Sequence, residues 1–159
     1  MTAKQSTQPK LRVSGATKVY STRSGDLTAI DHCSLDVMDG EIVSIVGPSG
    51  CGKTTLLWSM SGLHGLTSGE VLLDGTPVTG PNPEIGLVFQ EANLLPWRDL
   101  DANINFPFEI KGTKPDRAWI NELLHRVGLD GFGGRYPREL SGGMQQRAAL
   151  VRALSYKPS

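Results

Sequence analysis

The chain opens on a polar stretch, residues 1–10, rich in Thr, Gln and Lys, which reads as a leader to a folded part over 11–159. Apolar residues then gather at 11–13 and 19–20, two short strand candidates, before a Ser/Gly/Asp turn over 21–26 and an alternating run at 34–37. This pattern predicts an antiparallel β opening. Past the Asp39-Gly40 turn pair, residues 41–46 form a continuous β-branched run, the kind buried on both faces of a parallel sheet. Residues 54–61 fit a helix and 62–69 a loop. The strand expected at 71–73 is turned back toward Val78 by Asp74-Gly75.

The second half alternates less and repeats more at helical spacing. Gly80, Pro81, Asn82 and Pro83 break regular structure, and 85–89 is the next buried strand candidate, followed at once by Gln90. A helical pattern over 101–111 contains Pro107, which argues against an unbroken helix. Trp119, Ile120, Leu123, Leu124 and Val127 share one helical face, with Thr113 as its start and Gly128 as its stop. Met144, Ala148, Val151 and Leu154 fall near one face of a last helix that begins at Ser141, a residue type suited to an N-cap. No internal repeat is found.

Composition narrows the classes. Apolar residues make up 38% of the 159 positions and charged residues 20%, which suits one α/β domain with its own core and excludes a disordered chain. Lys plus Arg balance Asp plus Glu at 16 each, so no net field draws the chain to nucleic acid or to an anionic membrane. The apolar runs fall far short of a membrane-spanning helix, and the polar start is not a secretory signal, so a cytoplasmic location is expected. Cys33 and Cys51 fit reduced thiols, their spacing matches no zinc pattern, and a structural metal is not expected.

The strongest chemistry lies between the 41–46 strand candidate and the 54–61 helix candidate. Gly47, Pro48, Ser49, Gly50, Cys51, Gly52, Lys53 and Thr54 satisfy the G-x-x-x-x-G-K-[ST] phosphate-loop pattern in its strand-to-helix context. Small residues are needed there because successive backbone N–H groups must turn inward around a phosphate. Lys53 supplies a mobile positive charge to the β- and γ-oxygens, and Thr54 offers a hydroxyl to Mg²⁺. The helix behind them presents its positive end to the same anion. Cys51 reads as a spectator in this loop.

A second constellation, Leu140, Ser141, Gly142, Gly143, Met144, Gln145, Gln146 and Arg147, follows the loop and the intervening Gln90. On these three features the chain resembles the ATP-binding-cassette ATPases over 11–159. The resemblance implies an α/β P-loop NTPase fold with an antiparallel β N-terminal subdomain, a helical signature subdomain and an incomplete parallel sheet. It implies ATP and Mg²⁺ as cofactors, with Thr55 among the residues around the nucleotide and Tyr20 stacking on adenine. Ser141, Gly142, Gly143 and Gln145 would meet the γ-phosphate of ATP held by a partner subunit, in a head-to-tail homodimer. Gln90 would sense Mg²⁺ and the attacking water.

Further partners follow from the same resemblance: transmembrane permease subunits, and indirectly a solute-binding protein outside the membrane, with this subunit peripheral on the cytoplasmic face. Gly80-Pro81, Val88-Phe89-Gln90 and the stretch from Leu94 and Leu95 through Pro96, Trp97 and Arg98 look like the nitrate/sulfonate/taurine importer group. Trp97 and Arg98 fit either a groove for a permease helix or, for Trp97, internal packing. After Glu139 the chain has no Asp or Glu. The Mg²⁺-binding Asp, the water-orienting Glu and the switch histidine of the family therefore have no counterpart here, and His32, His64 and His125 read as surface or packing residues. The chain is accordingly expected to be C-terminally truncated and catalytically incomplete. Two alternatives stand beside the transporter reading: a nucleotide-binding module without hydrolysis, and a non-transport ATPase of the same family, which would carry coiled coils or CxxC pairs not seen here.

Overall fold

A computed structural model describes residues 8–158, which divide into two compact units at Asn82/Pro83. Of the expected leader, residues 1–7 lie outside the described residues. Lys10 does not behave as a leader: its Nζ pairs with Asp74 at 2.7 Å, and its carbonyl accepts from the Asp74 N–H at 2.8 Å.

In the first unit, β1 (Leu11–Thr22) and β2 (Gly25–Val37) pair antiparallel, and β3 (Ser68–Leu73) pairs with the other edge of β1. A short β4 (Thr76–Pro77) closes the sheet in the order β2-β1-β3-β4. The two strands expected at 11–13 and 19–20 are one strand of 12 residues. Apolar alternation lapses between them because the register shifts there, with Gly15 at φ 53. The turn expected over 21–26 is there but tighter: Thr22 and Gly25 are already register partners. Ser21 Oγ donates to Asp26 Oδ1 at 2.9 Å, so polar side chains that resemble a loop in the sequence are the rungs of a hairpin.

Helix α1 (Lys53–Met60) packs on this sheet through Leu56, which joins Val13, Ala16, Ile30 and Val71 in the core. Each of the Val, Leu and Ile side chains contributes about 1.5–3 kcal/mol when fully buried.

The second unit is helical. Helix α2 (Leu100–Lys111) starts where Asp99 Oδ1 accepts from the Ala102 N–H at 2.8 Å, and it runs through Pro107. Asn103, fully buried, sits where the proline removes a helical donor. Its amide donates to the carbonyls of Leu95, Arg98 and Asp99 and its Oδ1 accepts from the Leu95 N–H, binding the loop before the helix to the helix itself. Helix α3 (Arg117–Arg126) is capped by Asp116, not by Thr113, because the Asp116 carboxylate accepts from the Trp119 N–H at 3.1 Å. Helix α4 (Gly142–Ser155) completes the unit. Leu100, Ile104, Phe108, Ile120, Leu123, Leu124, Leu129, Ala148 and Val151 form its core. Leu154, assigned to the buried face of this helix, is 38% exposed. Ala149, Ala153 and Ser155 are buried instead.

The parallel-sheet candidate 41–46 and the buried strand candidate 85–89 enter no ladder among the described residues. Ile42 is 95% exposed and Val46 91%. A β-branched run marks side chains that suit a sheet, but a strand exists only where a neighbour accepts its backbone hydrogen bonds, and every pairing observed here is antiparallel and lies elsewhere.

Candidate functional site

Residues 47–52 enter no ladder and lead into α1 through a turn at Ser49 and Gly50, closed by the Cys51 N–H donating to the Pro48 carbonyl at 3.4 Å. Gly52 is the N-cap of α1 at φ 92, and no side chain caps the helix or places an acid in its first turn. The first N–H groups and the positive end of α1 are therefore free to meet an anion. Gly52 also has no room for a side chain: a Cβ there would come within 2.1 Å of the Ala29 carbonyl oxygen on β2. Glycine thus lets the loop press against β2, and Ala29, Ile30, Asp31 and Cys33 line a cavity of about 300 Å³ together with Cys51, Gly52 and Lys53.

Lys53 folds back across the loop. Its Nζ donates to the carbonyls of Gly47 at 2.8 Å and Pro48 at 2.7 Å, and lies 3.7 Å from Cys51 Sγ. The ammonium is thus inside the turn formed by its own loop, where a phosphate oxygen would compete with the two carbonyls for it. A Cβ on Gly47 would stand 2.8 Å from Cys51 Sγ, so Cys51 packs within the loop, and its sulfur is a free thiol, as is that of Cys33. Ser49, Gly50 and Thr54 are exposed and Thr55 half-buried. No group of three or more His, Cys, Asp or Glu gathers as a metal site among the described residues. A Mg²⁺ ion carried on phosphates needs only one or two protein oxygens, and the exposed Thr54 hydroxyl fits that requirement.

Tyr20 is half-buried. Its register partner is Leu27, two positions before Ala29 on β2, which places it about 7 Å along the strand from the point where β2 meets Gly52. Its hydroxyl lies 2.8 Å from His64 Nδ1. Sequence reasoning set His64 aside as a surface or packing residue, and no periodicity marks it, because the contact spans two elements.

In the helical unit, Ser141 caps α4 by accepting from the Met144 N–H at 3.3 Å. Gly142 and Gly143 are exposed with open space where their side chains would be, so this helix end is also open to an anion. Gln145 does not point outward with them: its Nε2 donates to the carbonyls of Pro137 and Leu140, bracing the 3-10 turn Pro137–Glu139 against α4. The Glu139 carboxylate accepts from the Tyr136 N–H at 2.7 Å, and that bond, ahead of the nearby Arg135, holds its pKa below the ordinary glutamate value. Gln90 is exposed, and its carbonyl accepts from Gln146 Nε2 on α4. Trp97 is 71% exposed, which removes the internal-packing alternative, whereas Arg98 is held by Glu109 and lies over Phe106.

Comparisons with known proteins agree with this arrangement. The family described as ABC transporter matches residues 30–159. An uncharacterized ABC transporter ATP-binding protein of Methanocaldococcus jannaschii is 45% identical over 151 residues, covering 94% of this chain and 57% of its own length. The Taurine import ATP-binding protein TauB of Burkholderia pseudomallei (strain K96243) is 43% identical, covering 94% of this chain and 58% of the relative. The Spermidine/putrescine import ATP-binding protein PotA of Nitrosospira multiformis is 45% identical, covering 86% and 39%. The chain thus spans little more than half the length of the first two. Among solved structures, a dimeric ATP-binding cassette in a post-hydrolysis state with ADP and Pi superposes with a TM-score of 0.82 at 33% identity, over 93% of this chain and 70% of that one. With the family matched over residues 30–159 and relatives 43–45% identical across nearly the whole chain, the chain belongs to the ABC transporter family.

Proposed function

We propose that the chain is the nucleotide-binding part of an ATPase subunit that energises an importer. The observation that carries this reading is the loop 47–54: glycine-tight against β2, opening on an uncapped helix, with the Lys53 ammonium at its centre. Lys53 would exchange its two carbonyl partners for phosphate oxygens, a stronger charge-assisted pair, and Thr54 would hold Mg²⁺ on the same phosphates. Tyr20, about two residues along the hairpin from the contact with Gly52, would stack on the base. Ser141, Gly142 and Gly143 would take the γ-phosphate of a nucleotide on a second subunit, so the working unit is a head-to-tail homodimer, a reading favoured by the dimeric relative. Gln90, anchored to α4 through its carbonyl, would report the state of the nucleotide to a permease at the cytoplasmic face of the membrane. The exposed Trp97 is offered to the same partner.

The transported solute is assigned to the nitrate/sulfonate/taurine class on the residues around Gln90 and on the taurine importers among the relatives. A polyamine importer subunit stands at similar identity, which is physically reasonable for a subunit that does not touch the solute.

The central reading is tested by calorimetric titration of MgATP into the protein and its Lys53→Ala variant. Losing a charge-assisted contact to phosphate should weaken ATP about 12- to 150-fold. Unchanged affinity in the variant would remove the phosphate-loop assignment. The solute class is tested in a reconstituted transporter, where taurine or an alkanesulfonate with its binding protein should stimulate ATP turnover. Stimulation by a polyamine instead would overturn it.

A further inference from the structure

We infer that His64 is a positioning residue for Tyr20, setting the plane on which the nucleotide base stacks; the inference rests on the reading of Tyr20 as the base-stacking residue. An aromatic ring on a strand turns about two side-chain torsions, and stacking rewards only one range of them, so a base platform gains from a second point of attachment. Tyr20 has one. Its hydroxyl is 2.8 Å from His64 Nδ1, and the two rings meet edge to face with centroids 6.2 Å apart.

His64 is itself held, because the Trp58 ring on α1 packs against it at 4.8 Å. Neighbouring contacts tie the same two segments. Lys18 Nζ donates to the Gly65 carbonyl at 2.6 Å and lies 5.1 Å from the Tyr20 ring centre, and the Val19 N–H donates to Thr67 Oγ1 at 2.9 Å. The end of β1 is thereby fixed to the segment that follows α1, the helix whose other end forms the phosphate site. One rigid body carries both the base platform and the phosphate seat. The bond tolerates either form of the imidazole: neutral Nδ1 accepts from the phenol, and protonated Nδ1 donates to it.

A merely structural role would affect all ligands alike, whereas a positioning role acts on the base alone. The test therefore compares ATP with inorganic triphosphate in calorimetric titrations of the full chain and its variants. His64→Ala should weaken ATP about 2- to 12-fold, the range of one side-chain hydrogen bond, while triphosphate changes less than about twofold. His64→Asn, which returns a polar atom close to the Nδ1 position, should restore ATP binding. Tyr20→Phe, which keeps the ring and loses only the bond, should match His64→Ala, and the double variant should be no weaker than either alone. Tyr20→Phe and His64→Asn also carry the test if His64→Ala fails to fold. Equal losses for ATP and triphosphate, or wild-type ATP affinity in both His64→Ala and Tyr20→Phe, would overturn the inference. Tyr20→Ala separates the two readings: wild-type ATP affinity there would sink the base-stacking role itself, while a loss there alongside an unaffected Tyr20→Phe sinks only the role of His64.

Discussion

Replacing Gly52 by Ala probes the contact that seats the phosphate loop on β2, and Gly50→Ala supplies the comparison. Both glycines are left-handed, Gly52 at φ 92 and Gly50 at φ 82, so each alanine meets a similar conformational cost of about 1–2 kcal/mol. They differ in what the new Cβ meets. At Gly50 nothing lies within 4 Å, whereas at Gly52 the Ala29 carbonyl oxygen would be 2.1 Å away, with its carbon at 3.3 Å. That neighbour is backbone of β2, at the residue the register skips between Thr28 and Ile30, and cannot swing aside as a side chain would. Relief requires the loop to lift off β2, and overpacking of this kind costs about 1–3 kcal/mol. Gly52→Ala should therefore unfold at a temperature about 2–12 °C below Gly50→Ala, measured by circular dichroism at matched concentration. A displaced loop should also lose ATP, which a parallel titration reads. Equal melting temperatures for the two variants, with ATP binding kept in Gly52→Ala, would refute the claim that Gly52 is required by close approach to β2.

Ser141→Ala removes the oxygen that caps α4 and should cost about 0.5–2 kcal/mol, measured by denaturant unfolding; no loss would mean that the cap is idle. Ser141→Arg should leave ATP binding by the monomer intact and abolish ATP-dependent association, read by light scattering, since its bulk falls on the open helix end assigned to a partner subunit. Asn103→Leu should destabilise the helical unit by about 2–6 kcal/mol, because the Leu95 N–H and the Arg98 carbonyl lose their partner while the Leu95 and Asp99 carbonyls keep only a backbone N–H, and amide hydrogen exchange should rise first at Leu95. The Glu139 pKa is lowered on folding, so its contribution is complete above the unfolded glutamate pKa near ~4.3 and disappears as pH falls through the lower folded value. Acid titration should loosen the 3-10 turn before Ser141 in that window, and Glu139→Gln should flatten this part of the pH–stability curve; an unchanged curve would exclude Glu139 as its source.

The sequence by itself determined where the two segments proposed to bind anions lie and which residues they carry. Glycines, Lys53, Thr54 and Ser141 act through their own backbone and the helix that follows each, so a local pattern suffices to place them. It also located the helices at 54–61 and from Ser141, since period 3.6 is carried by consecutive residues, but it argued against the unbroken α2 that runs through Pro107 and started α3 at Thr113 where Asp116 caps it. Tertiary structure decided what depends on a neighbour distant in sequence. The 41–46 run has strand character without a strand, because none of the described residues pairs with it in a ladder. Asn103 looks like a surface residue until the loop at Leu95 closes on it, and Gln145 belongs to the signature pattern yet its amide turns to Pro137 and Leu140. Tyr20 and His64 are 44 residues apart, and only the fold of β1 onto the segment after α1 brings hydroxyl and imidazole into contact.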